Sequence, residues 1–421
     1  MFTDTQKQWS VLTMNTTAFA ANFAVWTMFS IIGIGIKNDL GLSDTQFGIL
    51  VATPILTGSL TRLPLGIMTD RFGGRIVFFI QMLLVAIPTY GLAFATDYWH
   101  FLVIGLFVGL AGGSFAIGIA YTSAWFDDKR QGTAMGIFGA GNAGAAITNL
   151  VAPSIVVAYG WEMVPKVYSV AMLVMAVIFW FFTFNDPQHE ARKLSGKHVS
   201  LKDQLQPLKE VRVWRFGLYY YFVFGGFVAL ALWLPKYYIG EYGLDLKTAS
   251  IITMCFTLPS GLIRALGGYL SDKYGARSIN WAVFWVSLVA LFFVSYPQTT
   301  MIIHGIEGDV HTEIGISLWA FTALVFIIGI SQGIGKASVY RIIHDYYPDN
   351  MGSVGGMVGV IGGLGGFSLP IIFGIASDTI GVRSSCFMVL FALVATCMVL
   401  MHFAIKSIEE EKGILHDEHI V

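Results

Sequence analysis

Twelve apolar runs, each about twenty residues long, are the feature that most constrains how this chain can fold. An α-helix crosses the hydrocarbon core of a bilayer in roughly 20 residues. The composition agrees, because 55% of the 421 residues are hydrophobic and only 12% are charged, against roughly 25% charged in soluble domains. The pattern therefore predicts an all-α integral membrane protein in contact with a lipid bilayer. The runs lie at about 12–36, 46–68, 76–96, 99–124, 131–158, 165–184, 214–239, 249–270, 280–297, 315–344, 353–377 and 384–405.

The longest polar interruption falls between runs six and seven and divides the chain into two groups of six runs. It extends from Asn185 to Arg212. Lys and Arg are concentrated in the polar segments on the same side as this interruption, which predicts that both termini are cytoplasmic. The predicted units are an N-terminal six-helix bundle at 1–184, a cytoplasmic linker at 185–213, a C-terminal six-helix bundle at 214–406 and a cytoplasmic tail at 407–421.

One short sequence occurs twice, once in each half. The first copy runs from Arg62 to Arg75 and the second from Arg264 to Arg277, and both fit R-x3-G-x3-D-[RK]-[FY]-G-x-R. The copies are 202 residues apart, which indicates two versions of one module. The loop end of each copy places a carboxylate and two bases in a tight turn that glycine permits. These turns resemble the loop signature of the major facilitator superfamily, which implies a conformational latch and not a catalytic pair; their charged residues are Asp70, Arg71, Arg75, Asp272, Lys273 and Arg277.

The other end of each copy holds an arginine inside an apolar run, and Lys336 lies inside run ten. A charge in mid-membrane costs at least ~2.5–3.5 kcal/mol, so a function is its default explanation. Arg62 precedes Asp70 by eight residues, about 12 Å of helix, which is too deep for the side chain to reach the surface easily. All 26 Asp and Glu residues lie at run ends, in loops or in tails. An unpaired buried charge is very costly, so the missing partner of Arg62 and Arg264 is most simply an anion from solution.

Parallel repeats place corresponding residues on opposite sides of a central cavity. We therefore expect Arg62 and Arg264 to face each other near the middle of the membrane. Two forked guanidinium groups suit a small planar oxyanion. For Lys336 three interpretations remain open: an added positive charge in the cavity, a proton-coupling group, or a lysine that faces a wet vestibule.

Runs five and eleven are rich in glycine at matching positions. Gly139 and Pro153 are fourteen residues apart, as are Gly356 and Pro370. Close helix packing explains many glycines in membranes. Their density at matched positions of both halves also favours a backbone that approaches a very small ligand.

The acid–base turns resemble the loop signature of the major facilitator superfamily. The paired glycine blocks, with one arginine in run two and one in run eight, resemble the nitrate/nitrite porter family within it. This resemblance implies a twelve-helix major facilitator fold of two pseudo-symmetric halves, in which the two arginines hold nitrate from either side. It also implies a contact from the asparagine of run five and aromatic walls from runs four and seven. The site residues that it implies are Arg62, Arg264, Asn142, Phe115, Tyr220, Phe224, Gly356 and Gly359.

We therefore predict a transporter, not an enzyme, that moves nitrate, and also nitrite, across a bacterial inner membrane by alternating access. Proton-coupled uptake is the preferred mechanism, and nitrate/nitrite exchange is the alternative. With no carboxylate inside a run, the proton would have to use Lys336, a group at a run end such as Asp345 or His344, or the charge balance of the substrate itself. A carrier of another small anion, such as formate, oxalate or a sugar phosphate, and a membrane sensor that binds the anion without moving it are the remaining rivals. The three cysteines show no metal-ligand spacing. We expect a monomer with no metal, cofactor or nucleic-acid partner.

Overall fold

The computed structural model describes residues 3–126, 128–185, 209–347 and 351–418. Over these ranges it is helical apart from short loops and one β-hairpin. Within them, eleven helices are long and apolar enough to cross a membrane, and a bent helix pair makes a twelfth crossing. Each of the twelve apolar runs corresponds to one crossing, and we number the crossings as spans one to twelve. Most of the predicted linker at 185–213 lies outside the described residues.

Each span consists of one helix or of helical segments that meet at a break. The first six spans comprise Asp4–Thr27 and Phe29–Leu40 (one), Asp44–Leu60 and Arg62–Phe72 (two), Gly74–Gly91 with the 3-10 turn Leu92–Phe94 (three), Tyr98–Val108, the 3-10 turn Gly109–Gly113 and Ser114–Ser123 (four), Asp128–Gly139, the 3-10 turn Ala140–Ala143 and Gly144–Tyr159 (five), and Met163–Phe182 (six). The last six comprise Val211–Tyr220, the π-helical turn Tyr221–Gly225 and Gly226–Tyr242 (seven), Leu246–Leu262 and Arg264–Tyr274 (eight), Ala276–Val294 (nine), Leu318–Tyr346 (ten), Met351–Ile380 (eleven) and Ser385–Glu418 (twelve). The predicted tail thus continues the helix of span twelve as far as Glu418.

Spans two and eight are broken immediately before Arg62 and Arg264. In span two the break is at Thr61, and in span eight the two helices meet at Ile263 with a bend of 46°. Pro54 and Pro259 lie inside the helices that lead to the two breaks. Proline removes a backbone donor and weakens the helix around it. Each arginine therefore begins a short helix that runs on to the acid–base turn.

A β-hairpin joins spans nine and ten, where the sequence predicted no strand. Strand β1 (Thr299–Gly305) pairs antiparallel with β2 (Gly308–Ile314) across a two-residue turn. Its residues alternate between two faces, so that Met301, Ile303 and Val310 share one face. Because this alternation covers only a short segment between two long helices, the apolar runs alone predicted a loop there.

The two halves are joined at the end of the bundle where span two begins, which we call the Asp44 end. The Asp378 carboxylate of span eleven accepts hydrogen bonds from the backbone N–H groups of Asp44 and Thr45, at 3.1 and 2.8 Å, and from the Thr45 hydroxyl at 2.5 Å. Asp44 accepts a hydrogen bond from Ser377 at 2.6 Å and forms an ion pair with Lys236 of span seven at 2.7 Å. We call these contacts the clasp, because they close the bundle at this end.

Spans two and eleven approach each other closely because glycine leaves no side chain between them. A Cβ atom at Gly48 would lie 2.3 Å from the carbonyl oxygen of Pro370, and one at Gly374 would lie 2.4 Å from the carbonyl oxygen of Asp44. Close helix packing therefore accounts for part of the glycine content of span eleven.

Candidate anion-binding site

Arg62 lies at the centre of the bundle, where it joins span two to spans four, seven and eleven. Only 7% of its surface is exposed. Its Nη1 donates a hydrogen bond to the carbonyl oxygen of Gly359 at 3.0 Å, and its Nε has no partner among the described residues. Its Cζ lies 5.1 Å from the ring centroids of both Phe115 and Phe224, within the range of a cation–π contact. Two aromatic faces and one carbonyl therefore fix this guanidinium in place.

Arg264 approaches the same phenyl ring from the other half. Its Cζ lies 5.8 Å from the ring centroid of Phe115 and 5.9 Å from that of Tyr340. The residue is half-buried, and its Nη1 is a buried donor without a partner in the described part of the chain. Gly139 of span five makes room for it, because a Cβ atom there would lie 3.4 Å from Cδ of Arg264. The structure thus brings the two predicted arginines to one aromatic residue.

Neither guanidinium has an anionic partner within the described residues. The ion pairs among these residues all lie at span ends or in loops, and none involves Arg62 or Arg264. The two positive charges repel each other across this apolar region. An anion placed between them would remove that repulsion and would accept the hydrogen bonds that the free donors can make.

Aromatic residues of spans seven and ten form one wall beside Arg62. The rings of Tyr220 and Phe224 are stacked with centroids 5.2 Å apart. Tyr220 immediately precedes the π-helical turn of span seven, and Phe224 lies within that turn. Tyr340 packs edge-on against Tyr220 at 5.0 Å and donates a hydrogen bond to the carbonyl oxygen of Gly355 at 3.0 Å. The sequence interpretation did not include Tyr340 in the site. Its position four residues after Lys336, one helical turn away, is the signal that would have placed it there.

Asn142 lies on the 3-10 turn of span five. It is 1% exposed, and neither its amide nitrogen nor its amide oxygen has a hydrogen-bond partner among the described residues. Span eight packs against this turn, since a Cβ atom at Gly261 would lie 3.1 Å from the backbone nitrogen of Ala143. Buried polar groups are normally hydrogen-bonded, so this amide is suited to contact a ligand.

The two predicted glycines of span eleven differ in their surroundings. Gly359 belongs to the site, because its carbonyl binds Arg62 and a Cβ atom there would lie 3.1 Å from the Tyr340 hydroxyl. Around Gly356, no described residue outside its own stretch of helix has an atom within 4 Å of the position that a Cβ atom would occupy. The backbone of span eleven therefore contacts Arg62 at Gly359 and faces open space at Gly356.

Lys336 is fully buried in span ten. Its Nζ lies 3.3 Å from the ring centroid of Phe227 and donates a long hydrogen bond, 3.5 Å, to the carbonyl oxygen of Ser260. With 0% of its surface exposed, it does not face a wet vestibule in this conformation. The two other interpretations, an added charge in the cavity and a proton-coupling group, remain.

Comparison with known proteins agrees with this architecture. The sequence model of the Major Facilitator Superfamily matches residues 15–368. The "Probable nitrate/nitrite antiporter NarK1" of Thermus thermophilus is 41% identical over 418 residues, which is 96% of this chain and 93% of the relative. The "Nitrite extrusion protein" of Bacillus subtilis (strain 168) is 30% identical over 391 residues, 93% of each chain.

The chain belongs to the nitrate/nitrite porter family of the Major Facilitator Superfamily. A solved bacterial homologue of the human lysosomal transporter Spinster, in an inward-facing and occupied conformation, has the same fold. Its TM-score is 0.68 at 16% identity, and the match covers 94% of this chain and 95% of that one. The family and the fold class predicted from the sequence are thus confirmed.

In this porter the acid–base turn of span eight binds span ten of its own half. Asp272 forms an ion pair with Arg341 at 2.9 Å, and Arg277 donates a hydrogen bond to the hydroxyl of Tyr346. Lys273 lies over an aromatic ring of its own helix. These contacts hold spans eight and ten together within the C-terminal half.

The equivalent turn of span two also makes its described contacts within its own half. Arg75 donates a hydrogen bond to the carbonyl oxygen of Trp180 at 2.6 Å, with its guanidinium 4.3 Å from the Trp180 ring. The guanidinium of Arg71 lies 5.4 Å from the ring of Phe72, and the side chain of Asp70 lies outside the described residues. Both turns lie at span ends and not beside the arginine pair, and their role as a latch stays a prediction.

Proposed function

We propose that this porter is a secondary transporter that moves nitrate, and also nitrite, by alternating access. The observation that carries the proposal is the arginine pair around Phe115, which has no carboxylate partner in the described part of the chain. The relatives support it, since their names include a nitrate/nitrite antiporter, a nitrite extrusion protein and the "Probable nitrate transporter NarT" of Staphylococcus epidermidis.

The chemistry of the site fits a small, flat anion with one negative charge. Guanidinium groups from both halves can each donate two parallel N–H bonds to the oxygens of a planar oxyanion. The rings of Phe115 and Phe224 can cover its faces, and the amide of Asn142 can donate to a remaining oxygen. Bulkier anions such as a sugar phosphate need more polar contacts than this glycine and aromatic wall provides.

Proton-coupled nitrate uptake is the mechanism that we propose, and nitrate/nitrite exchange is the second candidate. Exchange is favoured by the name of the 41% identical relative. Proton coupling is favoured by Lys336, a buried lysine near the arginine pair that forms no ion pair with a described residue.

The membrane and the orientation also form part of the proposal. We infer a monomer in the inner membrane of a bacterium. Its two termini lie in the cytoplasm in this proposal, because Lys and Arg are concentrated in the segments on that side. In this orientation the clasp faces the periplasm. We expect protease to remove a C-terminal tag in inverted vesicles but not in intact cells.

Uptake into sealed proteoliposomes tests the function. The purified chain is expected to accumulate labelled nitrate when the outside is acidic, and to exchange external nitrate for internal nitrite when no gradient is imposed. Excess unlabelled nitrate and nitrite should compete, whereas formate and oxalate should not. Nitrate binding without uptake under either condition would indicate a sensor, and effective competition by formate would indicate a different anion carrier.

Removing the amide of Asn142 provides a prediction for the site. We expect Asn142→Ala to raise the KM for nitrate at least about tenfold, because a hydrogen bond to a charged group contributes about 1.5–3 kcal/mol. The turnover at saturating nitrate should change much less. Initial uptake rates over a range of nitrate concentrations give both constants, and an unchanged KM would remove Asn142 from the anion site.

A further inference from the structure

The ammonium group of Lys336 has few hydrogen-bond partners, and the nitrate contacts proposed above do not include this residue. An ammonium group has three N–H donors. Here it has one hydrogen bond, at the long limit of 3.5 Å, to the carbonyl of Ser260, and one aromatic face, that of Phe227. A buried cation with so few partners is held at a large desolvation cost. The surroundings of Lys336 therefore favour the neutral amine unless a negative charge is nearby.

The internal symmetry of the fold locates Lys336 relative to the arginines. A Cβ atom at Gly112 of span four would lie 2.8 Å from Cα of Gly58, and one at Gly333 of span ten would lie 3.2 Å from Cα of Ser260. Gly58 and Ser260 are themselves 202 residues apart, as the two arginines are. Gly112 and Gly333 are therefore equivalent positions of the two halves.

Three residues after these glycines, the two halves carry different side chains. Span four has Phe115, the ring that both guanidiniums approach, and span ten has Lys336. The lysine therefore occupies the symmetry-related position to an aromatic wall of the site. It also lies one helical turn before Tyr340, and the ring centroid of Tyr340 is 5.9 Å from Cζ of Arg264.

The other ionisable groups near this position cannot neutralise a charged lysine. Arg62 of span two, Tyr220 of span seven and Tyr340 of span ten itself interact with one another or with Arg264, and none is a carboxylate. Spans nine and eleven, which also pack against span ten, carry one ionisable residue each, Arg277 and Asp378, and both lie at span ends. The carboxylates of spans seven, eight and ten, which are Glu241, Asp272 and Asp345, also lie towards the span ends.

We propose that Lys336 binds the proton that is transported together with nitrate. As nitrate reaches the two guanidiniums from one side of the membrane, the ε-amine accepts one proton from water on that side and becomes an ammonium. On the other side the anion leaves and the ammonium returns its proton to water. The formal charge of the site is then the same in the empty and the loaded state, because one anion and one proton enter and leave together. This inference rests on the proposed nitrate transport.

Wild-type protein alone gives the first test. In a weakly buffered detergent solution, nitrate binding is expected to take up about one proton per nitrate bound, measured with a pH dye alongside calorimetric titration. Nitrate binding without proton uptake overturns the inference but leaves nitrate transport intact. Absence of nitrate binding and transport overturns the proposed function itself.

Two substitutions then separate a proton carrier from a fixed charge. Lys336→Gln removes the charge, Lys336→Arg makes it permanent, and Lys247→Gln, an exposed lysine at a span end, is the matched control. In proteoliposomes with an acidic exterior, both Lys336 variants are expected to lose nitrate accumulation at least tenfold and to lose nitrate-dependent acidification of the lumen. Nitrate/nitrite exchange should persist at a reduced rate, and Lys247→Gln should match wild type.

Other results overturn the assignment. Gradient-driven accumulation at the wild-type level in Lys336→Arg would show that only a fixed positive charge is needed. Normal proton flux in Lys336→Gln would place the proton elsewhere. If both variants lose nitrate binding but elute like the folded wild-type protein in detergent, Lys336 belongs to the residues that bind the anion.

Discussion

Arg62→Lys is expected to lower the initial rate of nitrate uptake at least about 100-fold, equivalent to ~2.7 kcal/mol, although the charge is retained. Arg62 has a hydrogen bond to Gly359 and two aromatic faces that fix the plane of its guanidinium. A lysine ammonium is a point charge without the planar fork. It therefore cannot hold the backbone carbonyl and the anion in the same fixed geometry.

The matched control for this substitution is Arg383→Lys. Arg383 is an exposed arginine at a span end that faces Glu241 at 3.7 Å, so its replacement should leave uptake within about twofold of wild type because exposed pairs contribute little. Initial uptake of labelled nitrate by equal amounts of reconstituted protein gives both rates. Wild-type uptake by Arg62→Lys would show that the forked geometry has no role.

Asp378→Asn is expected to increase the population that is open at the Asp44 end by about tenfold. The carboxylate accepts three hydrogen bonds from Asp44 and Thr45 in the other half, and hydrogen bonds to a charged acceptor are stronger than those to an amide. The asparagine also turns one acceptor into a donor that faces backbone N–H groups. The closed state should therefore lose stability relative to the open one.

Spin labels at Asn38 and Thr379, two exposed positions at the Asp44 end of the two halves, measure this opening as a longer distance between the labels. The matched control is Asp245→Asn, because Asp245 binds Thr248 within its own helix and should leave the distance distribution unchanged. An unchanged distribution in Asp378→Asn would show that the clasp does not hold the halves together.

The central residues of the site could be predicted from the sequence because their signals are local. Arg62 and Arg264 are recognisable as cations inside apolar runs and as equivalent positions of a repeat. Asn142, Phe115 and Gly359 follow from the resemblance to the nitrate/nitrite porter family, whose motifs are contiguous in the chain. The structure brings Arg62, Arg264, Phe115 and Gly359 together, and Asn142 lies on the turn of span five that packs against span eight.

The remaining features depend on contacts between distant segments. The clasp joins Asp44 to Asp378, 334 residues further along, and acidic residues at span ends are too common to indicate a contact. Tyr340 reaches Arg264 only because span ten packs against span eight. The breaks at Thr61 and Ile263 require knowledge of how the helices bend, which periodicity alone does not give.

The most direct test of the arginine pair is a structure of the wild-type protein determined in the presence of nitrate, with Arg264→Lys in nitrate as the comparison. The account predicts density for one planar anion within hydrogen-bond distance of both Arg62 and Arg264 and in contact with the ring of Phe115. It also predicts that this density is absent from the Arg264→Lys protein under the same conditions. A wild-type protein that transports nitrate but binds it away from these two guanidiniums would contradict the account.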